Sequence, residues 1–207
     1  PRSMGADATD LQLFDDWCAG DQRAGRRLFE RHYRSIARYF KNKVTRDHDD
    51  LTQRTFLACV ESRANYRGGA SFRSFLFGVA RKVLLRWLRE HARHGSRFEF
   101  NEISVADLDP GPSTIVNLRR EQALVVEALR RLPLHYQETL EFYYWEGLDG
   151  PAIAEAVGTS EANVRNRLHR GRRALERALL ELTAGLTVVP VAEQLDSWAR
   201  SVDPLRG

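Results

Sequence analysis

The chain has 207 residues, of which 43% are hydrophobic and 29% charged, so it can form one domain or two small ones. No apolar run approaches the roughly 20 residues that span a bilayer. We therefore expect no membrane insertion. Because the two cysteines form no CxxC or Cys/His cluster, we also expect no zinc site and a reducing cytoplasmic location. The net charge is +4 and almost all cations are arginines, so their clustering is more informative than their number.

Four helices are predicted in the first block of the chain, residues 9–94. Thr9 or Asp10 can cap the first helix and Asp21 the second, while Ser71 can cap the fourth. The third follows a break at residues 45–47. Apolar residues recur along the second helix at helical spacing: Leu28, Tyr33, Ile36, Phe40 and Val44.

Residues 95–119 are rich in turn-forming and polar residues and are predicted to be a flexible linker. The second block, residues 120–182, has four helical segments with breaks at Pro133, Gly147 and Gly158. No stretch shows sustained strand alternation, so we predict an all-α fold of two small helical domains. An extension at residues 183–207 has apolar residues at helical spacing, which fits either a terminal helix on the protein's own surface or a regulatory segment.

The segment 149–170 has the pattern of a helix-turn-helix. Asp149 and Pro151 favour a helix start, and Gly158 provides the permissive backbone that a helix end needs. The apolar positions of the two helices have matching four-residue spacing: Ile153 with Val157, and Val164 with Leu168. Two short helices packed around a tight turn are typical of duplex DNA-binding units.

The polar face of the second of these helices is basic. Arginine can bond guanine in the major groove and asparagine suits adenine. Because the first turns of a recognition helix enter the groove, the predicted base contacts are Asn163, Arg165, Asn166 and Arg167. The residues further along are predicted to bind phosphate: Arg170, Arg172, Arg173 and Arg177. Ser160 and His169 complete the predicted DNA-binding face; a solvated basic helix without a ligand is the alternative.

A second basic stripe lies on the fourth helix of the first block. Lys82, Arg86, Arg89 and Arg93 recur at helical spacing, apart from the apolar stripe. The loop before this helix holds Tyr66 and Arg67, and an aromatic ring beside a cation suits unstacked single-stranded bases. From these residues alone, single-strand binding and a simple water-facing amphipathic helix are equally favoured.

Several motifs occur in a specific order: DHDDLTQRTF at 47–56, FRSFLFGVAR at 72–81, LRRLP at 129–133, YWEG at 144–147 and VRNRLHR at 164–170. With them the chain resembles the extracytoplasmic-function group of bacterial sigma factors, the promoter-recognition subunits of RNA polymerase. The resemblance covers roughly residues 11–182. It implies that the first block is sigma region 2 and that the second is region 4. The chain departs from the family at Lys82 and Arg86, which stand where asparagine and an acidic residue are common, and at Asn163, which stands where a threonine is common.

The resemblance also implies roles for individual residues. Region 4 would read the duplex −35 element with the recognition helix described above. Region 2 would melt and read the −10 element with Tyr66, Arg67, Ser71, Arg73, Arg81, Lys82, Arg86 and Arg89. Its third helix would dock on core RNA polymerase with Asp47, Asp50, Leu51, Gln53 and Phe56. The linker would thread toward the polymerase active-site channel, and an anti-sigma factor would be a further partner.

We therefore expect a dissociable transcription initiation subunit without catalytic residues, cofactor or metal. A free-standing helix-turn-helix repressor or activator, with the first block as a dimerisation or sensing domain, is the alternative. An enzyme is not expected, because the sequence has no Gly-rich phosphate loop, metal cluster or nucleophile motif.

Overall fold

The computed structural model describes residues 9–63, 71–91, 104–108 and 120–183. Within these ranges the all-α prediction is confirmed, and the one β feature is an isolated bridge between Ser104 and Pro133. The helices are α1 Asp10–Cys18, α2 Gln22–Lys41, α3 His48–Ser62, α4 Phe72–His91, α5 Val105–Leu108, α6 Arg120–Arg130, α7 Leu134–Tyr144, α8 Gly150–Val157 and α9 Glu161–Leu182.

The predicted helix starts in the first block are confirmed. Thr9 forms a capping box with Gln12 at the start of α1. The Asp21 carboxylate accepts from the backbone N–H of Arg23 at 2.8 Å, and the Ser71 hydroxyl accepts from that of Ser74 at 3.0 Å. Each cap satisfies a backbone donor that has no partner inside its own helix.

Helices α1–α4 form the first unit around a large apolar core. Leu28, Ile36, Phe40 and Val44 are fully buried in it, as expected for one face of an amphipathic helix. Tyr33 departs from this predicted stripe, because 46% of its surface is exposed. Its ring stacks on Phe56 of α3 at a centroid distance of 6.1 Å.

Helices α6–α9 form the second unit. Its separate apolar cluster joins α6, α7 and α9: Val125, Ala128, Leu129, Leu132, Leu140, Leu175, Ala178 and Leu179. Gly171 lies where α9 packs on α7, and a Cβ at this position would make ordinary van der Waals contact, at 3.4 Å, with side-chain atoms of Leu140 and Tyr136. Among the described residues, no helix combines the length and the apolar character needed to cross a membrane.

The structure describes residues 104–108 of the predicted linker. Residues 104–108 contain the one-turn helix α5, capped by Ser104, whose hydroxyl accepts from the backbone N–H of Asp107 at 3.2 Å. Val105 is fully buried in the main apolar cluster. Burial of this side chain explains why a stretch with linker composition is held against the fold.

The two units pack against each other, with α2 and α4 of the first unit facing α7 and α8 of the second. The rings of Phe77 in α4 and Phe142 in α7 lie 4.8 Å apart, and Tyr39 of α2 stacks on Phe142 at 5.8 Å. The main apolar cluster therefore runs from Leu13 to Val164 across both units. The sequence patterns had left the relative placement of the units open.

Candidate nucleic-acid interface

The helix-turn-helix geometry is confirmed in α8 and α9. The Asp149 carboxylate accepts from the backbone N–H of Ala152 at 2.9 Å and caps α8. Gly158 ends α8 with a φ of +68°, a backbone conformation that favours glycine. Ser160 caps α9, and its hydroxyl accepts from the backbone N–H of Asn163 at 3.3 Å. Ile153 and Val164 are fully buried where the two helices cross.

Burial of Val164 turns the neighbouring side chains of α9 outward. The predicted contacts that are exposed on this helix and at its cap are Ser160, Asn163, Arg165, Asn166, His169, Arg170, Arg173 and Arg177. Arg167 is half-buried. Polar side chains on the first two turns of a helix, fixed by a buried stripe on its opposite side, can reach base edges in a major groove.

The recognition helix borders a polar notch with the start of α7. Its lining residues are His135, Tyr136, Asn163, Asn166, Arg167 and Arg170. His135 and Tyr136 were missed by sequence reasoning, although Pro133 marks the start of their helix. They line the same notch as four predicted DNA contacts, although His135 itself is buried.

The position of Arg172 differs from the prediction that this side chain binds phosphate. Its Nε donates a 2.7 Å hydrogen bond to the hydroxyl of Tyr144, and its guanidinium lies 5.8 Å and 5.7 Å from the ring centroids of Tyr143 and Tyr144. The guanidinium thus ties α9 to α7 rather than standing free for phosphate.

The predicted −10 contacts on α4 divide into two groups. Lys82, Arg86 and Arg89 are exposed, and Arg86 pairs with Glu90 on its own helix at 2.9 Å. Arg73 and Arg81 instead turn toward the second unit, where they pair with Glu146 and Glu138. The predicted contacts Tyr66 and Arg67, and Arg93 of the basic stripe, lie outside the described residues.

An apolar groove lies between α1, α2 and α3. Its aromatic lining consists of Trp17, Phe29, Tyr33 and Phe56. The predicted polymerase contacts Gln53 and Phe56 line it, and Arg26 and Arg63 stand among its charged residues. Asp50 is exposed and pairs with Arg54 on the same helix at 2.7 Å.

Two predicted docking residues point elsewhere. Leu51 is fully buried, so its side chain supports α3 and presents no surface. Asp47 adopts a φ of +62°, and its carboxylate accepts a 3.1 Å hydrogen bond from the indole N–H of Trp87 in α4. Asp47 therefore links α3 to α4 in this structure.

The boundary between the units holds an interdomain polar cluster, made of Arg38, Tyr39, Asn42, Lys43, Arg73, Arg81, Glu138, Glu141 and Glu146. Glu146 pairs with Arg38 as well as with Arg73, and Glu141 pairs with Lys43. The Tyr39 hydroxyl donates to Glu138 at 2.6 Å. Burial, together with the adjacent Glu138, holds the pKa of Tyr39 well above its ordinary value, so the phenol remains a donor.

Sequence reasoning missed this cluster because α7 was predicted from its apolar residues alone. Its polar residues Gln137, Glu138 and Glu141 are also buried. A helix with buried residues all around it needs partners on both sides. The sequence did offer a signal for this cluster. Helix α7 carries the acidic residues Glu138 and Glu141, and the cations Arg38 and Lys43 lie at and just after the end of α2.

Comparison with known families gives two matches. Residues 27–94 match the family described as Sigma-70 region 2, and residues 122–175 match Sigma-70, region 4. The first range includes α3 and α4, and the second includes the helix-turn-helix.

Curated relatives match over most of the chain. "RNA polymerase sigma factor NccH" of Alcaligenes xylosoxydans xylosoxydans is 32% identical over 167 residues, or 77% of this chain and 89% of the relative. "ECF RNA polymerase sigma factor SigM" of Mycobacterium tuberculosis is 26% identical over 182 residues, which cover 87% of this chain and 89% of the relative.

A solved structure supports the fold. The chain resembles that in "Structure of CnrH in complex with the cytosolic domain of CnrY" with a TM-score of 0.60 and 24% identity. The match covers 84% of this chain and 97% of the other.

Proposed function

The chain belongs to the extracytoplasmic-function group of the sigma-70 family of RNA polymerase sigma factors, and we propose that it grips a promoter at two points through separate helices. The first point is the −35 element, read as duplex by α9. The second is the −10 element, read by α4 and the loop before it.

The observation that carries this proposal is the recognition helix. Asn163, Arg165 and Asn166 are exposed around the fully buried Val164, so packing fixes the direction in which they point. We assign base contacts to these residues and to Arg167, and phosphate contacts to Ser160, His169, Arg170, Arg173 and Arg177. At the −10 element, the exposed cations of α4 are Lys82, Arg86 and Arg89.

We assign docking on core polymerase to the groove between α1, α2 and α3. Its rings of Phe29, Tyr33 and Phe56 are partly or largely exposed. Such rings in a groove can anchor a partner helix, because they bury a large area with little loss of side-chain freedom. Gln53 and Phe56 contribute from α3, and the exposed Asp50 provides a charge next to them. Leu51 and Asp47 support this surface from inside.

We further propose that a protein regulator of the anti-sigma type binds this chain. CnrH, whose fold it shares, is bound by the cytosolic domain of CnrY. The same apolar groove offers such a partner a surface that is also needed for polymerase. We assign the chain no catalytic step of its own and place its action in the cytoplasm, where promoter DNA is found.

Run-off transcription with core polymerase on a promoter library tests the proposal. The wild-type chain should yield transcripts from a defined promoter class, and Arg165→Ala should change that class. A free-standing repressor would bind duplex DNA alone and give no transcript, which would overturn the proposal.

A further inference from the structure

We infer that Trp17 of α1 is a positioning residue for polymerase docking, because its indole ring, seated on Gly25 of α2, holds the aromatic side chains of the groove between α1, α2 and α3 in place. The premise is the docking role proposed above for that groove. The docking residues predicted from the sequence lie at the start of α3 and along it. If Trp17 sets the shape of the groove, a residue outside α3 determines how tightly polymerase is held.

The indole of Trp17 lies directly against the backbone of α2 at Gly25. A Cβ built on Gly25 would lie 2.5 Å from Cδ1, 2.7 Å from Nε1 and 2.8 Å from Cγ of the Trp17 ring. Because a real Cβ does not approach other atoms within 3.0 Å, any side chain at position 25 would displace the ring. Trp17 is buried, so a displaced ring would also lose apolar contacts. The seat of the indole therefore requires glycine in α2.

A continuous series of aromatic contacts connects this ring to the docking surface. Trp17 packs edge to face on Phe29 at a centroid distance of 5.1 Å, and the ring of Phe29 lies 4.9 Å from that of Phe56. Phe56 in turn stacks on the ring of Tyr33 at 6.1 Å. Because close-packed side chains transmit strain to their neighbours, a shift of the Trp17 ring also moves Phe56, which is a predicted polymerase contact.

Further contacts fix the Trp17 ring and its helix. Phe14 packs edge to face on Trp17 at 5.9 Å, and the guanidinium of Arg63, at the end of α3, lies over the indole at 5.2 Å from its centroid. A cation in this position is attracted by the ring. At the start of α1, the Asp10 carboxylate accepts from Arg31 of α2 at 2.6 Å. Helix α1 is thus tied to α2 at both ends, and Trp17 connects it to α3 as well.

The docking groove is large enough to take part of a partner helix. It has a volume of about 660 Å³, which accommodates several apolar side chains from one face of a helix. Trp17 and Phe29 line it together with Phe56. A displaced Trp17 ring therefore changes the surface that polymerase meets, although every side chain of α3 keeps its identity. Helix α1 acts on docking in this way, through the shape of the groove.

The first experiment displaces the ring by substitution of Gly25. Gly25→Ala raises the intrinsic helix propensity of α2, but its methyl group must push Trp17 out of its seat. We expect about tenfold weaker binding to core polymerase, the size of effect expected when an interface anchor is lost. Gly150→Ala is the matched control, because a Cβ at that position meets no atom within 4 Å. Fluorescence titration with core enzyme measures both affinities, and equal affinities of the two variants would overturn the inference.

Two further measurements separate positioning from general instability. A destabilised protein would lose binding to a −35 duplex, which the second unit carries, together with polymerase binding, whereas we expect Gly25→Ala to lose only the latter. The chain has four tryptophans, so labelling with 5-fluorotryptophan gives a ¹⁹F resonance for Trp17 that the variant Trp17→Leu identifies. This resonance should shift in Gly25→Ala and stay in place in Gly150→Ala. Parallel losses of duplex and polymerase binding, or an unmoved Trp17 resonance in Gly25→Ala, would contradict the positioning role.

A double-mutant cycle tests whether the two residues act through one contact. Trp17→Leu removes the ring and should weaken polymerase binding about tenfold, and a leucine side chain can rotate away from a methyl group at position 25. Gly25→Ala/Trp17→Leu should therefore bind no more weakly than Trp17→Leu alone. Losses that multiply would show that the two residues act independently. If Gly25→Ala fails to fold, Trp17→Leu decides the question, since an unchanged polymerase affinity of this variant would overturn the inference.

Tyr33→Ala separates the positioning role from the docking role proposed above. Tyr33 lines the same groove but is 46% exposed, so its removal tests the groove itself. If Tyr33→Ala weakens polymerase binding and Gly25→Ala does not, the positioning role of Trp17 fails and the docking role stands. If neither variant weakens binding, the docking role fails, and the positioning role falls with it.

Discussion

Lys43 and Glu141 form an ion pair across the boundary between the units, with the lysine side chain fully buried and that of Glu141 4% exposed. Lys43 Nζ also donates to the backbone oxygen of Tyr39 at 3.3 Å and lies 3.9 Å from the Tyr39 ring centroid. Glu141 accepts further hydrogen bonds from Asn42 and Gln137. The pair is therefore held in a polar network where neither charge is left without a partner.

Removing only one partner of this ion pair should destabilise the protein more than replacing both partners with apolar residues. Lys43→Met leaves Glu141 buried without its main cation, so we expect the free energy of unfolding to fall by about 3–5 kcal/mol. Lys43→Met/Glu141→Leu should regain most of that loss, because no uncompensated charge remains. Denaturant unfolding measures both values. Additive losses in the double variant would contradict the interpretation.

Polymerase affinity should depend on the rings of the apolar groove. Tyr33→Ala removes a half-exposed ring and should weaken binding to core polymerase about tenfold, the effect of losing an interface anchor. Leu57→Ala is the control: Leu57 is 60% exposed on the same helix as Phe56 but lines a different groove, between α3 and α4. Fluorescence titration with core enzyme measures both affinities. Equal losses for the two variants would count against the groove.

Base and phosphate contacts on α9 should respond differently to substitution. Arg165→Ala should relax specificity at a single −35 position. Arg173→Ala should weaken binding to all sequences and lower the slope of log affinity against log salt by about one unit. Titrations of a set of duplexes at several salt concentrations distinguish the two. A uniform loss from both variants would show that the assigned division of roles is wrong.

Arg172 should act on stability. Because its Nε donates to the Tyr144 hydroxyl, we expect Arg172→Ala and Tyr144→Phe each to lower the free energy of unfolding by about 1 kcal/mol. In a double-mutant cycle the two losses should not add. Full additivity in thermal or denaturant unfolding would show that this hydrogen bond does not stabilise the protein.

Local patterns predicted the helices and their caps, because Thr9, Asp21, Ser71 and Asp149 satisfy backbone groups within three residues. They also predicted the exposed face of α9, which follows from the burial of Val164. The packing of the two units was not predictable in this way. It depends on pairs about 100 residues apart, such as Tyr39 with Glu138, which no periodicity within one helix encodes. The destinations of Arg73, Arg81 and Arg172 were missed for the same reason.

Within the first unit, Asp10 and His32 form a partly buried polar contact. The His32 side chain is 7% exposed, and its Nε2 lies 2.7 Å from the Asp10 carboxylate, which also accepts from Arg31 at 2.6 Å. Burial lowers the pKa of His32 below its ordinary value, and Asp10 offsets only part of this effect. Although burial acts to raise the pKa of Asp10, the hydrogen bond from Arg31 and the charge of His32 leave it below 3.8.

Because folding lowers the pKa of both His32 and Asp10, acid should destabilise the folded protein over two separate pH ranges. The unfolded chain binds a proton at His32 more readily than the folded chain, so the free energy of unfolding should fall as the pH drops below about 6.5, until the folded pKa is reached. The stability that ionised Asp10 contributes is present above its unfolded pKa and is lost as the pH falls through its lower folded pKa. Urea unfolding from pH 8 to pH 3 measures both windows. His32→Phe should remove the upper window and also weaken the lower one, because His32 helps to hold the pKa of Asp10 down. His91→Gln, at an exposed position, should retain both windows; an unchanged upper window in His32→Phe would assign it to another group.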